Sequence, residues 1–548
     1  MFIVSMTRAT KNINIIEGEA NVLKEMPFDF QALVNSTRSF WASDNEGIQG
    51  RLTEDKVSYP VTSNKSTDFN AQLMADFFTL APMETMMPFY IPLPGQFPSK
   101  LKMNPEELVE PKTYQYSSLI GNRWVGRAFR VSSKAQATRT FISRVAVTKR
   151  MKITERMLER GLGNFEKMYL KSSWKMTEPG VAWNKAVDDL VQKYAAQMRL
   201  SDPKFKIDTR PGEAAGHLKT IVKTYINEPE KIMGGKAGQP IVAWAGAWNL
   251  LFGPFFRTIS NMLQELLNDN TMFANGLDPD EFSAKMRALV KYCKGGLKNP
   301  RWECLDFEQY DASQNSSSIN AEWALVKRTL CLVFGAGQED TIKSLAQLFF
   351  YMKSNITVFC GSLIIDNEQK NTSGNPGTFL FNTLLQMLLW AAVMNPHRYG
   401  GGAFGGDDST VCTNDDRSVI EDGFKQMNLS FKWDTNAMPM FFNHFINTDT
   451  GSIVYDPLRS LWALGSKNFL RSSEKETIKY IEEMKMAIHD KSKMWDLEKE
   501  TVTIGLRYRH GLNDRQIDQL MELLTAFKST PAVKIMPQLS KFEVMIEF

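Results

Sequence analysis

The sequence predicts an α+β fold: a small sheet of short strands with acidic turns, followed by a helical C-terminal part. Three observations carry this. The apolar runs Trp302–Phe307, Gly401–Phe404 and Ser409–Thr413 have strand length and are bounded by turn residues. Thr378–Met394 stays apolar for the length of a long buried helix and is stopped by Asn395-Pro396. From Asp456 to the end the pattern is helical, most clearly over Ser473–Asp490 and Asp514–Lys528.

The remaining elements follow in order. Residues 1–100 have mixed polarity, and the proline-rich Met87–Gly95 reads as an extended segment. From Arg139 to Arg160 the pattern is helical and basic, either a solvated face or a surface for a polyanion. Lys236-Ala-Gly-Gln239 precedes the apolar run Pro240–Arg257, and Lys291–Arg301 reads as a basic loop leading into a strand. Ser317–Phe334 reads as a helix capped by Ser316 or Ser317, and Ile356–Ile365 as a hairpin around Gly361. A helix over Asp416–Asn428, a strand over Leu429–Trp433 and strands near Phe441–Ile446 and Ser452–Tyr455 complete the reading.

Composition bounds the function. At 548 residues the chain has room for about three to five domains. With 43% hydrophobic and 23% charged residues it is neither disordered nor low-complexity. Lys and Arg (65) barely exceed Asp and Glu (61), so any polyanion must be met by local clusters rather than by overall charge. Five cysteines without C-x-x-C spacing fit a reduced compartment, and the histidines show no metal-ligand spacing. Pro240–Phe256 and Thr378–Met394 are the most apolar stretches, and Asn382 and Gln386 make the second a buried helix rather than a membrane span.

Three segments carry chemistry together: Asp306-Phe-Glu-Gln-Tyr-Asp311 at a strand end, the glycine-rich Ser373-Gly-Asn-Pro-Gly-Thr378 opening into a helix, and Gly405-Gly-Asp-Asp408 between two strands. Clustered carboxylates on apolar strands are costly unless a cation neutralises them. A sheet shared by the first and third segments would bring Asp306 beside Asp407. Oxygen-only ligands favour Mg²⁺ or Mn²⁺, and two such ions suit an in-line phosphoryl displacement. Taken alone, the Asp-Asp turn is a weak signal and reads more readily as a solvated Asx turn. Thr378, Asn382 and Gln386 recur at i, i+4 and i+8, a polar stripe on a buried helix that needs partners. Asp311 reads either as a cap for the next helix or as the partner of Asn382 across a nucleotide sugar, whose 2′-OH both donates and accepts.

In this order and spacing the segments resemble motifs A (Asp306-x4-Asp311), B (Ser373-Gly374, Thr378, Asn382) and C (Gly406-Asp407-Asp408) of positive-strand RNA virus RNA-dependent RNA polymerases. The forms Asp311-Ala-Ser-Gln314 and Ser373-Gly-Asn-Pro-Gly-Thr378 look most like the alphavirus-like supergroup, with its hepe-, tymo- and virga-like branches. Phe442–Ile446 resembles motif E, and Lys236-Ala-Gly-Gln239 with Phe252–Arg257 resembles the region around motif F.

The resemblance implies a right-hand polymerase with fingers, palm and helical thumb. Its parts would be an N-terminal extension linking fingers to thumb (1–199), fingers (200–301), palm motif A (302–312), a fingers and palm insertion (313–372), palm motifs B to E (373–456) and the thumb (457–548). Asp306 and Asp407 would bind two Mg²⁺ or Mn²⁺ ions with Asp408 assisting. Asp311 and Asn382 would select ribonucleotides, supported by Ser373 and Thr378. Lys236 or Lys231 would cradle the triphosphate, and Lys432 would be the general acid for pyrophosphate. Gly374, Gly377 and Arg257 would touch RNA. The implied partners are template and nascent RNA, NTPs, and capping and helicase proteins on separate chains. The implied site is the host cytoplasm, in replication complexes whose membrane association is indirect.

Two other readings stay open: a reverse transcriptase, and a catalytically degenerate RNA-binding scaffold. The basic clusters near 144–160, 204–236 and 291–301 are expected to line a tunnel converging on Asp306 and Asp407.

Overall fold

The computed structural model describes residues 113–119, 134–146, 151–172, 213–219, 239–330 apart from 245, 278 and 299, then 339–360, 363–368, 371–434, 438–459, 469, 472–486, 496–535 and 539–545. The first part of the chain contributes β1 (Thr113–Leu119), α1 (Lys134–Phe141) continued by a π-helical turn Ile142–Ala146, α2 (Glu155–Tyr169), β2 (Glu213–Lys219) and β3 (Gln239–Trp244). There follow α3 (Gly246–Leu266), β4 (Thr271–Phe273), α4 (Pro279–Gly296), β5 (Arg301–Phe307), α5 (Tyr310–Ser313), α6 (Ser316–Leu325) and α7 (Glu339–Ser354). The hairpin β6 (Asn355–Cys360) and β7 (Leu363–Glu368) leads to α8 (Thr378–Val393), β8 (Tyr399–Gly405), β9 (Asp408–Thr413), α9 (Arg417–Gln426) and β10 (Phe431–Asp434). The last part holds β11 (Met440–Phe441), β12 (His444–Ile446), β13 (Ile453–Tyr455), α10 (Glu474–Met486), α11 (Asp496–His510), α12 (Asp514–Ser529), α13 (Ala532–Ile535) and β14 (Leu539–Met545).

The α+β expectation is met by a five-stranded sheet in the order β10-β5-β9-β8-β4. Neighbouring pairs are antiparallel except β4 with β8, which run parallel. Along β5 the side chains alternate, with Leu305 and Phe307 buried and Asp306 exposed between them. The apolar face packs on α8 and α9. Phe307 meets Phe424 edge-on, and Trp390 of α8 does the same. Nearly every residue of α8 is buried, which is why its sequence is apolar all round. Its other side lies on α2, where Tyr169 donates to the Met387 carbonyl and Asn164 to the Ala391 carbonyl.

Several expectations need correction. The helix expected over Ser317–Phe334 is α6 followed by a π-helical turn at Val326–Leu330. Its cap is Asn315 rather than Ser316 or Ser317. Asn315 accepts from the Ser317 N–H, and Ser318 Oγ accepts from the Asn315 N–H, the two halves of a capping box. The strand expected near Phe441–Ile446 is a hairpin, β11–β12, whose turn residues Phe442 and Asn443 have φ of 48° and 61°. The C-terminal part is not helical throughout, because β14 pairs with β1 from Thr113↔Met545 to Leu119↔Leu539. The apolar stretch from Pro240 divides into β3 and α3, and no helix among the described residues is long and apolar enough to cross a membrane. Cys293, Cys304, Cys360 and Cys412 are buried free thiols, while Cys331 and the Met87–Gly95 segment lie outside the described residues.

Candidate functional site

The acids meet through strand register. Asp306 on β5 pairs directly with Asp408 on β9. On its other side Asp306 pairs with Lys432 on β10. Directly opposed residues project to one face, with Cβ atoms about 5 Å apart. Asp408, Asp306 and Lys432 therefore form one row on the face away from α8. The residue opposite Asp306 in the ladder is thus Asp408, and Asp407, expected beside Asp306, sits exposed in the turn one residue before it.

The turn is shaped by contacts from α8. Gly406 has φ of 63°, a left-handed conformation, and its N–H donates to Thr383 Oγ1 at 2.7 Å. At Gly405 a Cβ would stand 2.1 Å from the Phe442 ring, so only glycine lets the hairpin close over the turn. Gln386 Nε2 donates to the Asp407 carbonyl at 3.1 Å and to Ser409 Oγ at 3.0 Å, and Trp390 Nε1 donates to the same Ser409 oxygen. The Phe442 N–H donates to Asp408 Oδ2 at 3.0 Å. Burial raises the Asp408 carboxyl to about 7; the charges of Asp407 and Asp306 push the same way, against the Phe442 N–H and Arg459.

Beside the acids lies a second polar cluster. Asn382 Nδ2 donates to Asp311 Oδ1 at 2.7 Å, Asn371 Nδ2 donates to the same oxygen at 3.0 Å, and the Ser373 hydroxyl donates to Asp311 Oδ2. Asp311 is thus no helix cap; it is the acceptor at the centre of this cluster. Thr378 bonds back to the Asn375 carbonyl, which seats the loop on the first turn of α8. The stripe Thr378, Asn382, Gln386 therefore ties one helix to the glycine-rich loop, to Asp311 and to the Asp407 turn.

The other expected residues are distributed as follows. Gly374 is exposed, at φ of 100°, and a Cβ there would meet the Val242 carbonyl at 2.6 Å. Gly377 differs from the expected RNA contact: it is buried, with the Phe349 and Phe381 rings where a Cβ would stand. Arg257 is half-buried and donates to Asn275 Oδ1 at 2.7 Å. Lys432 is exposed and ion-paired with Glu308 at 3.0 Å. Lys231 and Lys236 lie outside the described residues.

The three basic clusters do not converge as one set. Cluster 204–236 falls almost wholly outside the described residues. The 291–301 cluster points elsewhere. Lys294 donates to the Asp449 carbonyl, and Arg301 pairs with Glu303 and the Asp415 carbonyl at the opposite end of β5 from Asp306. Five residues of strand separate the two ends by about 17 Å. Within 144–160, Arg160 donates to the Val393 and Met394 carbonyls at the far end of α8. Arg144, of the same stretch, does interact with the acids. Burial lowers its pKa, and the charges of Asp311 and Asp407 raise it. Sequence reading placed Arg144 only in a general basic face. Asn375 and Gln314 stood inside the quoted motif segments without a role of their own, and Asn371 was missed altogether, since a polar amide in a loop carries no signal of its own.

Among the described residues no three of His, Cys, Asp or Glu form a ready-made metal cage. The donor set still fits a hard cation: carboxylates only, mutually repelling, with one carrying a raised pKa. Mg²⁺ is characteristically held by one or two carboxylates together with substrate phosphates and water.

The model of one family, described as RNA dependent RNA polymerase, matches residues 131–535. The non-structural polyprotein pORF1 of hepatitis E virus genotype 1 (isolate Human/Burma) is 29% identical over 182 residues, which is 33% of this chain and 10% of that polyprotein. The pORF1 of isolate Human/India/Hyderabad is 27% identical over 266 residues, 48% of this chain and 14% of that polyprotein. The chain thus spans a small part of these relatives' length. Among solved structures, the RNA-dependent RNA polymerase of a human picorbirnavirus aligns with a TM-score of 0.41 and 14% identity, covering 71% of this chain and 78% of that one. The matched span takes in the acidic row, the Asp311 cluster and the helices after β13, and the chain belongs to the RNA dependent RNA polymerase family, among the viral enzymes of the alphavirus-like supergroup.

Proposed function

We propose that this chain copies an RNA template into RNA from NTPs, the 3′-hydroxyl of the growing strand attacking the α-phosphate and releasing pyrophosphate. The observation that carries the reading is the row Asp408–Asp306 with Asp407 at its turn, set beside Asp311 hydrogen-bonded to Asn382. Asp306, Asp407 and Asp408 would hold two Mg²⁺ or Mn²⁺ ions. When bound, these ions supply electrostatic stabilisation of the charge at the reacting phosphate. Asp311 and Asn382 orient the ribose. Arg144, whose charge interacts with those of Asp311 and Asp407, is a candidate to meet the triphosphate alongside Lys231 and Lys236, which were first expected in that role. Lys432, in the row with Asp306, is the candidate donor of a proton to pyrophosphate. Holding the reactants in line and supplying preorganised charge are the two largest contributions a protein makes to such a transfer.

In this reading the β10-β5-β9-β8-β4 sheet is the palm, the helices after β13 are the thumb, and the β1–β14 pair ties the N-terminal part to the thumb's end. Gly374 and Arg257 remain candidates for RNA contact. Capping and helicase partners and a site in membrane-associated complexes of the host cytoplasm belong to the same proposal. The Asp311–Asn382 pair favours ribonucleotides over the deoxynucleotides of a reverse transcriptase, because deoxyribose would leave an acceptor position of Asp311 and an N–H of Asn382 unfilled.

The test is extension of a primed RNA template by purified protein with Mg²⁺ or Mn²⁺. Ribonucleotide incorporation that is lost in Asp407→Ala is expected. An equally active Asp407→Ala protein would overturn the site, and RNA binding without any turnover would favour the scaffold reading.

A further inference from the structure

Which way the Asn382 amide faces decides whether it offers the sugar a donor or an acceptor. An amide can be turned over with little change in shape, so its orientation must come from its partners. Here the partners form a chain with two fixed ends. The Gly377 N–H, which can only donate, donates to Asn375 Oδ1 at 3.0 Å. That turns Asn375 Nδ2 toward the Thr372 carbonyl, which can only accept, at 2.7 Å, and toward Asn371 Oδ1 at 3.1 Å. Asn371 Nδ2 then donates to Asn382 Oδ1 at 2.9 Å and to Asp311 Oδ1 at 3.0 Å. Gln314 Nε2 adds a second donor to Asn382 Oδ1 at 2.8 Å. With its oxygen held twice, Asn382 must present Nδ2 to Asp311. Turning it over would set its NH₂ against two other donors and its oxygen against a carboxylate.

All four amides are buried, so no solvent stands in if one link fails. Asp311 Oδ1 already receives two protein donors and Oδ2 receives Ser373. A carboxylate offers about four acceptor positions. One is left on Oδ2 to accept the proton of a 2′-OH, and the second N–H of Asn382 is left to donate to its oxygen.

We propose that Asn375 and Asn371, with Gln314, are positioning residues for ribose selection: they relay the polarity of the Gly377 N–H and the Thr372 carbonyl to the Asn382 amide. The relay rests on the polymerase reading and adds the residues that set its sugar gate. In this reading Asn375, Asn371 and Gln314 act through Asn382 and not on the nucleotide itself. The relay's signature is therefore a change in choice between sugars rather than a general loss of activity.

The experiment compares kcat/KM for an NTP and its 2′-deoxy counterpart on one RNA template. The near-isosteric Asn371→Asp removes the donor to Asn382 and places a second carboxylate by Asp311. It is expected to lower the preference for NTP about tenfold or more, chiefly by slowing NTP addition. Asn375→Asp keeps the oxygen that receives Gly377 but loses the donor to Asn371. It is expected to lower the preference by about three- to tenfold. Preference unchanged within about twofold in an Asn371→Asp protein that melts like the parent would overturn the relay. If Asn371→Asp does not fold, Asn375→Asp and Gln314→Met decide by the same ratio. A parent protein that incorporates neither nucleotide, or prefers NTP no more than Asn382→Ala does, would instead sink the underlying polymerase and sugar-gate reading.

Discussion

The Phe442 N–H holds Asp408 Oδ2 at 3.0 Å, so the hairpin turn between β11 and β12 supports the carboxylate that faces Asp306. The turn is unusual because Phe442 and Asn443 both have positive φ. Two left-handed residues match the type I′ hairpin, which asparagine tolerates and phenylalanine does not favour. Strain of this kind persists where surrounding contacts over-determine it. Here the Phe442 ring stacks on Phe441 and lies over Gly405.

Asp408 gives a pH dependence with a definite sign. Its folded carboxyl, raised to about 7, lies above its unfolded value of about 4. The metal-free fold therefore binds more protons than the unfolded chain and loses stability as pH rises between those values. Thermal melting of metal-free protein should fall between pH 5 and pH 8 more steeply than that of Asp408→Asn. Mg²⁺ should raise the melting temperature more at pH 8 than at pH 6. Parallel melting curves for parent and variant would show that Asp408 is not the source.

Thr383 is expected to matter through one hydrogen bond. Thr383→Val keeps the shape but leaves the buried Gly406 N–H without its acceptor, at a cost of about 1–3 kcal/mol in urea unfolding. Thr383→Ser should recover most of that stability and the catalytic rate. If valine is tolerated in both measurements, the Gly406 turn does not depend on α8.

Behind the site, Lys353 Nζ pairs with Glu322 Oε2 at 2.6 Å, and both side chains are almost wholly buried. Burial raises the Glu322 carboxyl, and Lys353 opposes the rise. Lys353→Met strands a carboxylate in the core and should destabilise by about 3–5 kcal/mol. The double change Lys353→Met with Glu322→Leu should recover much of this loss. A double-mutant cycle read by denaturant midpoint separates the pair's coupling from the cost of the orphan.

Lys432 can be tested apart from stability. Its ion pair with Glu308 is exposed and should contribute no more than about 1 kcal/mol. Lys432→Met should fold like the parent. If the lysine gives a proton to pyrophosphate, the rate at saturating NTP should fall about 100-fold with KM little changed. A rate within twofold of the parent's removes Lys432 from the chemistry.

The parts legible in the sequence were those fixed by short-range pattern. Thr378–Met394 announced α8 because burial on all sides demands an unbroken apolar run, and Met394 is its C-cap. The acidic turn between β8 and β9 was readable because Gly405 and Gly406 leave the chain little choice. The hairpin at Phe442 was not readable, since a phenylalanine at positive φ is imposed by tertiary contact and leaves no local signature. The basic tract before β5 misled for a related reason. Its charges look the same whether they face a channel or sit at the far end of a strand, and only ladder register tells them apart. Arg144 gained its significance from acids far along the chain, a relation no window of sequence contains.

The register of β5 between β9 and β10 has a consequence for how this protein tolerates copying errors. Substitutions along those strands change one side chain at a time. Insertion or deletion of a single residue in β5 would turn Asp306 toward α8 and swing Leu305 or Phe307 into its place, so the row between Asp408 and Lys432 would lose its central carboxylate. Length changes should therefore be far less survivable in these strands than in the connections around them, and a deletion scan across residues 301–307 should show inactivity at every position, whatever the residue removed.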